Sequence, residues 1–199
     1  MNHLAHFFLS GSNNEIKIGN FIADNIPFKA YPDYDIIIRD GFKLHLLIDQ
    51  YTDNHPIVKQ SVRRLHASHH KYAPVILDII YDHLLANHWS NYSEITLKDY
   101  TQSIYSLLLK HETILPEKIR MRLTRMISDN WLMQYQKKEG LRYALKLMER
   151  RIKFPADLSS AVDVLYENFD DFNNDFLQFF PDLLEHSSNW LVENGYGEL

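Results

Sequence analysis

Apolar residues recur along this chain at spacings of three, four and seven, and apart from a short apolar start nothing alternates with a period of two. The pattern predicts helices over roughly 15–25, 33–53, 56–70, 73–91, 96–111, 116–136, 139–152 and 157–190, the last interrupted near Pro181. Turn-forming residues stand between them, at Gly11-Ser12-Asn13-Asn14, Asn25-Ile26-Pro27, Asn54-His55-Pro56 and Phe154-Pro155. Pro56 and Pro116 suit first helical positions, where a missing N–H costs nothing. With no repeat, low-complexity tract or long linker, the reading is one all-α domain over residues 1–199.

Two of these helices carry acids where polarity is expensive. His45, Asp49 and Asp53 lie four residues apart among Phe42, Leu46 and Ile48, within about 80° of one another on a helical wheel. Over Pro74–Trp89 apolar residues occupy almost the whole circumference, and Asp78 and Asp82 sit one turn apart there with His83 and His88 nearby. Buried charges are paired, hydrogen-bonded or bound to a cation, and few basic residues lie in these helices.

Composition narrows the chemistry. The chain has no cysteine, which excludes disulfides and thiolate zinc sites, so the ligands on offer are imidazole and carboxylate. A site built from Asp24, His45, Asp49, Asp78 and Asp82 favours a divalent ion such as Mn²⁺ or Mg²⁺, which activates water for phosphate-ester hydrolysis. The same residues also admit a buried polar network without metal. His6 is a further candidate ligand, and His83, beside Asp82, could orient that carboxylate, bind metal or donate a proton. Arg63 and Arg64 offer guanidinium forks to a phosphate, or simply surface ion pairs.

Hydrophobic residues make up 45% of the chain, with 11 Phe and 12 Tyr, ample for a core at 199 residues. No apolar run reaches membrane-spanning length and the N-terminus lacks a basic leader, so a soluble cytoplasmic protein is expected. The net charge of −5 is uneven. Residues 110–153 carry 12 basic and 5 acidic side chains, while residues 154–199 carry 10 acids and no lysine or arginine. The basic block is a candidate docking surface for an acidic partner, and the acidic tail argues against general nucleic-acid binding.

Five motifs then follow in order: Met1-Asn2-His3-Leu4-Ala5-His6; Gly19-Asn20-Phe21-Ile22-Ala23-Asp24; Gly41, His45, Ile48, Asp49, Thr52 and Asp53; Leu77, Asp78, Tyr81, Asp82, His83, Leu85, His88 and Trp89; and Glu149-Arg150-Arg151. In this order and spacing the chain resembles the acyl carrier protein phosphodiesterase family from Met1 to about Trp190. The resemblance implies an all-helical fold like that of HD-domain metal-dependent phosphohydrolases, a divalent cation, typically manganese, and acyl carrier protein as macromolecular substrate. The implied reaction hydrolyses the phosphodiester between 4′-phosphopantetheine and a serine of the holo carrier. The resemblance puts the family's metal-binding aspartate on Asp24 and draws the remaining ligands from His6, His45, Asp49 and Asp82. It leaves Asp78 or Asp53 to orient ligands and His83 or His55 to protonate the departing serine. An acidic carrier would meet the basic block, with Arg150 and Arg151 as contacts. Leu46 stands where the family has arginine, and the only adjacent acid–imidazole pair is Asp82-His83, the reverse of an HD domain. Two other readings are an HD-like phosphohydrolase of nucleotides or small phosphodiesters, and a non-catalytic helical module that binds an acidic partner.

Overall fold

The longest apolar stripes become the longest helices. The computed structural model describes every residue except Glu198 and contains eleven α-helices and no strand among the described residues. They are α1 His3–Phe8, α2 Asn14–Ile22, α3 Ile36–Asn54, α4 Pro56–His69, α5 Ala73–Asn87, α6 Leu97–Lys110, α7 Glu117–Ser128, α8 Trp131–Gln134, α9 Lys138–Glu149, α10 Ala161–Glu167 and α11 Phe169–Glu193. The all-α class expected from periodicity therefore holds. Helix α5 lies at the centre, with Ile76, Leu77 and every residue from Ile79 to Ala86 buried, and α11 lays Phe172, Phe176, Phe179, Phe180 and Leu183 into the same core.

Three boundaries differ from the sequence pattern. The expected helix 116–136 is divided at Asn130, whose left-handed φ of 50° ends α7 and starts α8. The expected break near Pro181 is absent: Pro181 lies inside the continuous α11, between the buried Phe180 and Leu183, and packing on both sides outweighs the one lost backbone hydrogen bond. The interruption falls instead at Asn168, between α10 and α11. The short apolar start is helical as well.

That first helix is too short to stand alone. It has no side-chain cap of its own, and Asp82 of α5 supplies one: Asp82 Oδ2 accepts from Leu4 N at 2.7 Å, and Oδ1 accepts from Ala5 N at 3.1 Å and Asn2 N at 3.3 Å. A carboxylate on the central helix thus pins α1 in place.

Helices α2 and α3 touch backbone to backbone. A Cβ on Gly19 would stand 2.1 Å from the Ile38 carbonyl oxygen, and one on Gly41 would stand 2.5 Å from that of Ile16. Because α2 leads to Asp24 and α3 carries His45 and Asp49, this approach sets the distance across the site. Gly41→Ala is expected to force the helices apart at a cost of about 3 kcal/mol, well beyond the ~1 kcal/mol that alanine gains in helix propensity. A thermal melt should show a drop of several degrees; an unchanged melting temperature would mean that the contact is looser than these distances.

Candidate metal centre

Four side chains from three separate stretches form one connected cluster. His6 comes from α1, Asp24 from the 3₁₀ turn Ala23–Asn25 that follows α2, and His45 and Asp49 from successive turns of α3. His45 Nε2 lies 3.0 Å from Asp24 Oδ1 and 3.2 Å from Asp49 Oδ2, and His6 Nε2 lies 3.2 Å from Asp49 Oδ1. Potential ligand atoms of His6, His45 and Asp49 all fall within 4.8 Å of one another. The two imidazoles stack at 4.3 Å and are buried, while Asp49 is partly open and Asp24 largely open to solvent.

The orientation of both rings is set by Asn20, fully buried on α2. Its Nδ2 donates to the His6 carbonyl at 3.1 Å and to Ser10 Oγ at 2.9 Å. A carbonyl can only accept, so the amide nitrogen faces it and Oδ1 faces the rings. Oδ1 then accepts from His6 Nδ1 at 2.7 Å and from His45 Nδ1 at 3.1 Å. With both Nδ1 atoms protonated, each Nε2 is the atom turned towards the carboxylates.

The titration of the pair follows. Burial pushes His6 down, against the pull of Asp49, and keeps it neutral near pH 7. Burial acts the same way on His45, but hydrogen bonds to Asp24 and Asp49 outweigh it and raise that imidazole to about 9. Burial works to raise Asp49, yet the two imidazoles hold it well below the ordinary carboxylate range; the bond to His45 lowers Asp24 too. Neutral His6 therefore presents a lone pair at Nε2 to a carboxylate oxygen only 3.2 Å away. Two lone pairs aimed at one another are unfavourable unless a cation lies between them, and nitrogen with oxygen donors suits a divalent ion. The residues fit such a group. Replacing Asn20 with leucine, which keeps the bulk and removes the acceptor, is expected to weaken Mn²⁺ binding by about 10–100-fold, read by titration calorimetry.

The site opens onto a cleft of about 310 Å³ that Asp24, Asp49 and Asp78 line. Asp78 does not join the cluster; its Oδ1 accepts from the Met1 ammonium at 2.9 Å. Asp82, expected among the ligands, lies under α1 with both oxygens taken by backbone N–H groups, and burial pushes its carboxyl up to about 7 against those bonds. His83, expected as a proton donor, is buried outside the cleft and donates from Nδ1 to the Tyr135 carbonyl at 2.6 Å. His55 is turned to Asp182, 3.4 Å away, and Asp53 is exposed beside a separate hollow that Arg63 and Asp78 also line. Arg64 is held by Asp175 and Asp171, with no free fork for phosphate. Arg150 and Arg151 are both exposed, but only Arg151 lines the cleft. Asn20 is a site residue that the sequence pattern does not single out. Its signal was a polar side chain four residues after Ile16 and four before Asp24, on the buried face of α2.

A protein-family model described as acyl carrier protein phosphodiesterase matches residues 1–183. The chain belongs to the acyl carrier protein phosphodiesterase family. A relative of that name from Photorhabdus laumondii is 30% identical over 190 residues, covering 95% of this chain and 96% of its own. Another from Enterobacter sp. (strain 638) is 30% identical over 194 residues, and one from Escherichia coli O6:H1 is 30% identical over 196; each match covers 98% of the relative. No solved structure matches the chain. Of the phosphodiesterase family motifs quoted above, those at His6, Asp24 and His45–Asp49 converge on the cluster, while Asp82 caps α1 and His83 donates to the Tyr135 carbonyl.

Proposed function

We propose that this protein hydrolyses the phosphodiester of holo-acyl carrier protein, releasing 4′-phosphopantetheine and the apo carrier. The supporting observation is the close group of His6, His45 and Asp49 with Asp24 beside His45, carried by a chain whose relatives, matched over nearly their whole length, bear the name of that activity. His6, Asp24, His45 and Asp49 would hold a divalent cation, Mn²⁺ or Mg²⁺. Such an ion lowers the pKa of a water and neutralises phosphoryl charge.

The chain's own residues prepare the site for this. Asn20 keeps both Nδ1 atoms occupied, so that both Nε2 atoms face the cleft side of the cluster. Asp49, reached by both imidazoles, holds them at a fixed separation and carries a full negative charge across the physiological range. Asp24, the most exposed of the four, stands at the open edge, where an arriving ester meets the site first. No helix among the described residues is long and apolar enough to cross a membrane. A cytoplasmic setting is part of the same proposal, and suits a chain without cysteine to cross-link.

Incubating the purified protein with Mn²⁺ and holo carrier should convert the carrier to its apo form, which mass spectrometry reads as loss of the prosthetic group. A carrier of unchanged mass under metal-replete conditions would remove the substrate assignment.

A further inference from the structure

One wall of the cleft is basic and has no part in the metal cluster. Arg122 of α7 and Arg151, just beyond α9, line the cleft together with Asp24 and Asp49. Among the described residues neither guanidinium has a carboxylate within 4.0 Å, whereas Arg64, Arg125 and Arg142 each do. The two are close enough to act on each other: loss of surrounding water and the charge of Arg122 both push Arg151 below its ordinary value. Two guanidiniums that share a cleft, neither in ion-pair contact with a carboxylate, are what a bound anion stabilises, and a guanidinium fork matches phosphate oxygens two at a time.

His3 belongs to the same wall. Its ring meets Phe21 edge-on at 5.3 Å, it lines the cleft, and among the described residues neither ring nitrogen is hydrogen-bonded. Burial pushes it to about 4, with Asp24 and Arg151 both near enough to contribute. At neutral pH it is an uncharged imidazole with one N–H to give.

We propose that Arg122 and Arg151, with His3 beside them, form an oxyanion wall that grips the non-bridging oxygens of a phosphodiester while the carboxylates that share the cleft face the bond to be broken. This rests on the phosphodiesterase reading. It gives Arg151, exposed at the rim of the cleft, a different task from the one its motif implied: it meets the phosphoryl group, and its neighbour Arg150, outside the cleft, is left for the surface of the carrier.

Inorganic phosphate is the probe. Titrated calorimetrically into the full-length protein without added metal, it should bind saturably. Arg122→Gln and Arg151→Gln should each weaken that binding by about tenfold or more, and Lys98→Gln, an exposed charge on α6 outside the cleft, should leave it unchanged. In carrier assays the two arginine variants should lose about 100-fold in kcat/KM with Mn²⁺ affinity kept within twofold. Should a glutamine variant fail to fold, the lysine variant replaces it with the same expectation, because a point charge cannot reproduce the fork. Failure of the wild type to bind phosphate, or undiminished binding by either arginine variant, overturns the wall. Failure to convert holo carrier overturns the enzymatic reading instead, and the phosphate titration still decides this one.

Discussion

Asp49→Ala is expected to lower conversion of holo carrier by on the order of 10³-fold or more, about 4 kcal/mol of transition-state stabilisation. Asp49 is the one residue that both imidazoles reach, with Oδ1 3.2 Å from His6 and Oδ2 3.2 Å from His45. Removing it takes away a ligand and the negative charge that offsets a cation. The fold should tolerate the change. Asp49 is partly exposed, so its ion pairs are screened and are worth no more than about 1 kcal/mol to stability. Activity should therefore collapse while the melting temperature moves by only a few degrees. An Asp49→Ala protein that retained a tenth of its activity would show that the cluster is not the catalytic centre.

Asp82→Ala should do the reverse: lose stability first. The substitution strands three backbone N–H groups at Asn2, Leu4 and Ala5, in surroundings where Asp82 is fully buried. At about 1–3 kcal/mol for each unsatisfied donor, a loss of 3 kcal/mol or more is expected, or roughly 10 °C for a chain of this size. Since His6 rides on the helix that Asp82 pins, Mn²⁺ affinity should fall with stability. Calorimetric melts of Asp82→Ala and Asp49→Ala separate the two carboxylates. A melting temperature within about 2 °C of wild type for Asp82→Ala would mean that α1 is held by apolar packing alone.

The contrast between these two acids shows where sequence reasoning ended. Carboxylates on apolar helices demand partners, and both Asp82, fully buried, and Asp49, partly exposed, have them. Which partner each finds is hidden, because backbone donors become available only at helix ends whose position in space a sequence does not give. The six-residue α1 exists through its cap and its burial, so local pattern could not announce it. His45 and Asp49 were legible because an interval of four puts them on one face. The convergence of His6 and Asp24 upon them needed the Gly19–Gly41 contact, which brings two helix backbones closer than any side chain permits.

Element boundaries were legible where one residue dictated them and obscure where packing did. Pro56 and Pro74 lie in the first turns of α4 and α5, as a missing N–H allows. Pro181 carried the same local signal and lost to the aromatic residues around it. Asn130 and Asn168, which do divide helices, resemble any exposed asparagine in sequence. Arg63 and Arg64 were adjacent in sequence and equally attractive as anion binders, yet one is exposed and the other is bound to Asp175. Arg122, in a helix that looked like an ordinary basic face, turns out to line the cleft.

The central claim is that His6, Asp24, His45 and Asp49 surround a single cation. Anomalous diffraction from a crystal soaked in Mn²⁺ tests it most directly. The account predicts one strong peak at coordination distance, roughly 2.0–2.3 Å, from Nε2 of both imidazoles and an oxygen of Asp49, with Asp24 drawn in beside it. A peak at Asp78 or Asp82 with none between His6 and His45, or no ordered metal at all, would contradict it.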